Sequence, residues 1–256
     1  MSKMFIKDST LVDIGNAIRE KEGSTEKISP LEMGDRIRAI ESGGVGYDLT
    51  AMLTAIKINS LNGFGQNVVR LNLPLVTSLA QFCVVSDIEE KNITVEELEI
   101  SCGKVTVMSQ FMSNSTAATD STLRILTLNM DTSEVTNWSS ATKGLAALEE
   151  IRGTPLDLSS ASSTVSSVFN IKTLREIRLQ GFVNVNLSMT SAHLSADSLR
   201  SVISCLSPTA SGMALTLSQA AVNVAFETSE GVNDGSTSTE WLTLTGEHSN
   251  WTVSLV

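Results

Sequence analysis

Along the middle of the chain one arrangement of apolar positions, written apolar-x-x-apolar-x-apolar, keeps returning. Its copies are Val68/Leu71/Leu73, Val95/Leu98/Ile100, Leu123/Leu126/Leu128, a degenerate Leu148/Ile151 that breaks at Gly153, and Leu174/Ile177/Leu179. Their first positions lie 25 to 28 residues apart, the spacing of a solenoid in which each repeat lays one short element beside the last. The alternating half of the signature suits a strand with one buried face. The fold class predicted is α+β: an N-terminal α-helical hairpin over 1–42, a β-solenoid of about five repeats over 43–190, and a C-terminal α/β cap over 191–256.

The hairpin has marked ends. Thr10 caps a helix with Asp13 at its third position, Leu11, Ile14 and Ile18 fall on one face, and Gly23 ends it. Ser29 caps a second helix, with Pro30 at its first position, Glu32 at its third, and Ile28 placed to staple onto Met33. Its apolar face is Met33, Ile37 and Ile40, with Arg36 and Arg38 turned away. Helices this short are marginal alone, so Leu11, Ile14, Ile18, Met33, Ile37 and Ile40 are the candidate oligomerisation or attachment surface, with folding back onto the chain's own solenoid as the competing role. Seven Lys/Arg against eight Asp/Glu over 1–45 argue against a DNA-binding helix-turn-helix. The run from Glu41 through Gly43 and Gly44 to Gly46 reads as a flexible linker.

Beyond the linker, residues 55–58 are a candidate divergent first strand. Hydroxyl-rich spans around Ser115, Ser140 and Ser162 are expected to line one edge of the stack. Leu156 with Leu158, and Val183 with Val185 and Leu187, alternate as secondary strands would. After His193, Leu199, Val202, Ile203 and Leu206 make an amphipathic helix capped by Ser195, with Pro208 and Gly212 at its exit. Residues 214–217 and 251–255 read as strands and 219–226 as a helix. This terminal region is expected to cover the last strand edge.

Composition narrows the function. Aromatics are 4% of residues, so the core is aliphatic, and Lys+Arg 18 against Asp+Glu 28 gives a net charge of −10, which opposes nucleic-acid binding. Asp87, Glu89, Glu90, Glu96, Glu97 and Glu99 cluster around the second copy, either as a solvated face or as a cation site. Cys83, Cys102 and Cys205 lack metal or disulfide spacing and read as core thiols. Absence of a signal peptide or an 18-residue apolar run predicts a soluble protein made in a bacterial cytoplasm, with no membrane insertion. His193 and His248 have no motif partners, and there is no nucleophile elbow, phosphate loop or dinucleotide fingerprint. Glu89-Glu90 and Glu149-Glu150 are the nearest approach to a glycosidase pair, so no catalytic residue, metal or cofactor is expected. Trp138, among Asn137 and Ser139, is a candidate ligand-binding indole, with core packing as its competing role.

The segment running from Asn16, Ala17, Ile18, Arg19, Glu20 and Lys21 through Gly23 to Ile28, Pro30, Glu32 and Met33 resembles the short N-terminal segment of tail and baseplate-associated structural proteins of phages infecting Gram-positive gut bacteria. It departs at Glu22, where Thr is frequent. The repeats resemble the surface-protein class of leucine-rich repeats, lacking the asparagine ladder of other classes. The resemblance implies a non-enzymatic virion protein of a tail, baseplate or fibre. Its hairpin would attach it and assemble it as a homo-oligomer, a trimer by analogy with tail and fibre proteins, and its solenoid would meet other virion proteins or a host-surface protein or glycan. The alternatives are a bacterial leucine-rich-repeat surface adhesin and a glycan-cleaving enzyme on a solenoid scaffold.

Overall fold

The structure, a computed structural model, describes residue 16 and residues 68–83, 95–113, 121–226 and 234–256. The expected hairpin with Leu11, Ile14, Ile18, Met33, Ile37 and Ile40, the linker, the strand at 55–58, and the acids Asp87, Glu89 and Glu90 lie outside the described residues. Strands β1 (Val68–Leu73), β2 (Glu97–Lys104), β3 (Ile125–Asp131) and β4 (Glu150–Gly153) form one parallel sheet in chain order. β5 (Leu156–Asp157) pairs with β6 (Leu179–Gln180), and β7 (Leu187–Met189), β8 (Met213–Leu217) and β9 (Trp251–Leu255) make a third parallel sheet. Among the described residues three α-helices are interleaved with these last strands: α1 (Ala196–Ser204) between β7 and β8, and α2 (Gln219–Phe226) and α3 (Thr239–Gly246) between β8 and β9. The chain is thus a parallel β-solenoid of about five turns with a few helices.

Register explains why the apolar signature repeats. Val69, Leu98, Leu126 and Ile151 occupy one column of the sheet, and Leu71, Ile100 and Leu128 the next. Leu98, Ile100, Leu126 and Leu128 are buried, and so are Val95, Leu123, Leu148 and Leu174, the residues that lead into each strand. The first copy needs a correction. Leu71 lies opposite Ile100 and not Leu98, so the copy at Val68/Leu71/Leu73 is offset by two residues, a slip that keeps the same face buried because side chains alternate with period two.

The fourth copy breaks at Gly153 for a steric reason. Gly153 lies opposite Leu128 with φ +95, and a Cβ there would stand 2.5 Å from the Leu128 carbonyl oxygen. Only glycine takes this conformation cheaply. Thr154 N–H donates to that same carbonyl at 2.9 Å, and the chain re-enters a ladder at Leu156, which pairs with Leu179.

Opposite the strands runs a second ladder that the apolar signature alone did not reveal. Val76-Thr77-Ser78-Leu79, Val105-Thr106-Val107-Met108 and Val135-Thr136-Asn137-Trp138 stack in register, with parallel bridges Ser78 to Val107 and Val107 to Asn137. Leu79 N–H donates to Val107 O at 3.0 Å, and Met108 N–H donates to Asn137 O at 3.3 Å. Gln81, Gln110 and Ser140 each turn the chain at the same point with positive φ, and the Gln81 amide donates to Gln110 at 2.9 Å. Behind them Phe82 meets Phe111 and Trp138 meets Phe169 edge-on, their centroids 5.5 and 6.0 Å apart.

The predicted amphipathic helix forms as α1 but ends at Ser204, so Leu206, expected on its apolar face, is buried beyond its end. Ser195 caps it by accepting from Ser198 N–H, and Leu199, Val202 and Ile203 are buried. Its serines also serve the strand beside it. Ile177 N–H donates to Ser198 Oγ at 3.0 Å and Leu179 N–H to Ser201 Oγ at 2.9 Å, so two hydroxyls about one helical turn apart meet alternate amides of the chain as it enters β6. α2 matches its expected bounds. α3, which the sequence reading missed, starts at Ser238, whose hydroxyl accepts from Trp241 N–H. Trp241 packs on Phe226 at 5.6 Å, while its neighbour Leu242 is exposed, which leaves no clean apolar stripe to read.

Candidate functional site

The outward face of the strand sheet carries charge, and most of it is paired. Arg70 holds Glu99 at 3.0 Å from the neighbouring strand, and Glu99 also accepts from Asn129. Arg124 grips Glu149 with two bonds, at 3.1 and 2.8 Å. That guanidinium holds the Glu149 carboxyl below its ordinary range, whereas a general acid at neutral pH needs a raised value. Glu150 pairs with Arg152 at 2.5 Å, so both members of the Glu149-Glu150 pair are occupied by arginines. Glu150, Arg152, Glu176 and Arg178 line a pocket of about 320 Å³, where Glu176 accepts from Ser198 Oγ at 3.1 Å. Two acids and two bases leave that pocket balanced. Among the described residues no group of three or more His, Cys, Asp or Glu side chains is placed to hold a metal ion.

A larger cleft, about 530 Å³, opens where the chain passes from the second ladder back toward β4 and, one turn later, toward Leu174 and Ile177. Its volume lies within the roughly 300–1,000 Å³ of small-ligand sites. The two loops that wall it are tied together by the stack. Thr142 Oγ1 donates to Val168 O, and Thr173 Oγ1 donates to Ala146 O and Leu148 O, both at 2.8 Å. Asn170 fixes the far wall, accepting from Ser191 N–H at 2.7 Å and donating to Thr190 Oγ1 at 3.3 Å. Gly144, with φ +86, makes the turn that follows Lys143. The walls are therefore set before any ligand arrives, which lowers the ordering cost of binding.

The charge of this cleft differs from that of the chain. Its lining contains Lys143 and Lys172 and no carboxylate, on a protein of net charge −10. Both lysines are exposed, and they are the only lysines after Lys104. Arg70, Lys104, Arg124, Arg152 and Arg200 each hold a carboxylate; among the described residues neither cleft lysine has an ion-pair partner. Ser140 and Ser167 add hydroxyls, while Leu145, Val168 and Ile171 give an apolar floor.

Trp138 is not at this surface. Its side chain is 1% exposed, its Nε1–H donates to Val135 O at 3.2 Å, and it fills the column that Leu79 and Met108 fill in the preceding turns. The indole is a core residue, so the ligand-binding role expected for it is corrected to packing. The polar groups around it serve the turn itself: Thr164 Oγ1 accepts from Trp138 N–H at 3.0 Å, and the Asn137 side-chain amide oxygen accepts from Ser139 N–H. Cys83 and Cys205 are buried and Cys102 half-buried, all free; burial pushes the Cys83 and Cys102 thiols up to about 11. His193 is exposed, whereas His248 is buried and its Nδ1 has no hydrogen-bond partner. The cleft lysines escaped the sequence reading because 29 residues separate them and no motif links them; the scarcity of lysine in this half of the chain was the available signal.

No protein-family model matches the chain, and neither a curated protein nor a solved structure does.

Proposed function

We propose that this chain is a non-enzymatic recognition protein of a phage virion, attached through its N-terminal segment and displaying the solenoid to a host surface. The observation that carries the recognition half is the stiff-walled cleft bearing Lys143 and Lys172, a concave site whose chemistry departs from that of the rest of the chain. The attachment half rests on the resemblance of residues 16–33 to phage tail and baseplate segments. The solenoid's place in the surface-protein class of leucine-rich repeats is likewise part of the proposal and rests on the resemblance of its apolar signature to that class. Leu11, Ile14, Ile18, Met33, Ile37 and Ile40 are the proposed contacts for self-association, a trimer by analogy, and for docking on a virion protein.

Purified particles of the phage that encodes the chain should contain it, and the full-length recombinant protein should compete with phage adsorption to the host. Absence from particles, together with no competition, removes the reading. Light scattering tests the attachment surface: full-length protein is expected to be oligomeric and a chain lacking residues 1–42 monomeric.

A further inference from the structure

We infer that the cleft walled by Lys143 and Lys172 takes an acidic saccharide, its anionic group on the lysine ammoniums and its hydroxyls on Ser140 and Ser167. Three observations lead there. The first is charge: an unpaired lysine on each loop and no lining carboxylate, so an entering anion meets attraction without a competing internal partner. The second is the absence of aromatic side chains from the lining. A neutral sugar commonly relies on stacking against a ring, and with that contact missing the cleft must hold its ligand by charge and hydrogen bonds. The third is the hydroxyl content. Thr142 and Thr173 spend their donors on the neighbouring turn, but among the described residues the hydroxyls of Ser140 and Ser167 have no partner, and each serves a polyol as donor or acceptor. A saccharide presents such groups at every ring position, whereas an acidic peptide presents them only at its backbone and carboxylates.

This deepens the recognition role proposed above and rests on it for its biological setting, but the binding itself is tested on the purified chain. The probes are polygalacturonate, whose anion is a carboxylate, dextran sulfate, whose anion is a sulfate ester, neutral dextran, and polyglutamate. By calorimetry at low salt the wild-type protein should bind at least one acidic polysaccharide, bind dextran undetectably and polyglutamate more weakly; the better of the two polysaccharides identifies the anion. K143Q/K172Q should lose about tenfold or more in affinity, since charge-assisted hydrogen bonds are the strong ones. The charge-matched pair R70Q/K104Q, placed outside the cleft, should bind as wild type. Ser167→Trp fills the cleft without altering charge and should also weaken binding. All five positions are exposed, and an unchanged circular-dichroism melt confirms that each variant folds. Equal losses in the two charge-matched pairs, full binding by Ser167→Trp, preference for polyglutamate, or no binding to either acidic polysaccharide overturns the inference. If the chain binds neither polysaccharide yet still blocks phage adsorption, the inference falls and the recognition role stands. Binding by a chain absent from particles has the opposite meaning.

Discussion

Gly153 shows how one backbone position can set where a ladder stops. Its φ of +95 and the close Leu128 carbonyl require a residue without a Cβ, and the strand then reopens three residues later at Leu156. Gly153→Ala is expected to destabilise the fold by about 1–3 kcal/mol, the range for strained backbone positions, and a denaturant melt with an unchanged slope would measure it. No measurable loss would mean that the turn relaxes freely. Trp138 carries the opposite lesson at the same scale. Its polar neighbours suggested a surface ring, but they are the hydrogen-bonding groups of a buried turn. Reading Leu79, Met108 and Trp138 as one column, 29 and 30 residues apart, would have placed it inside.

Among elements, the strand side was legible because alternation of Leu and Ile needs only burial on one face, and that demand survives a change of loop length. The second ladder was less legible because its residues are mixed: Ser78, Val107 and Asn137 hold equivalent places, and hydrogen bonds between main chains constrain side-chain type weakly. Unequal loops hid the register too. Adjacent strand columns are 29, 28 and 25 residues apart from Val69 to Leu98, Leu126 and Ile151, so the interval does not fix the register, and matching the signature at Val68 places the first copy two residues out. The cleft depends on those loops and so was invisible to periodicity. α1 illustrates a function that amphipathic spacing cannot show, since Ser198 and Ser201 lie against the strand amides of Ile177 and Leu179. Ser198→Ala is expected to cost about 1–3 kcal/mol by leaving a buried amide unpaired. Amide exchange should locate the effect at Ile177; uniform loss of protection, or none, would show that water or a shifted helix replaces the hydroxyl.

For the molecule as a whole, several carboxylates sit below their ordinary range. Hydrogen bonds from Ser133 lower Asp131, Arg124 lowers Glu149, Ser236 lowers Asp234 and Arg200 lowers Glu240. The unfolded chain therefore takes up these protons first, and stability present above the ordinary values of 3.8 and 4.5 is lost as pH falls through the lower folded values. The melting temperature should be nearly level from neutrality to about pH 5 and decline below that. Glu149→Gln should shallow the decline. Because Asp131, Asp234 and Glu240 are exposed and Glu149 is only half-buried, added salt should shallow it as well, and a decline unaffected by either change would point to other groups.

The two parallel ladders that join the turns from β1 to β3 have a mechanical consequence. Each turn is bonded to the turns before and after it, so tension applied to the two ends of the stack loads the bonds of the outermost turn first. Peeling one turn frees 25 to 29 residues, a gain in contour length of about 80–105 Å at 3.3–3.6 Å per residue. In an optical trap the extension curve should be a series of such steps, each dissipating work that a single abrupt rupture would pass to whatever the stack is holding. When the load is removed, the chain is expected to shorten again through the same steps, one turn at a time.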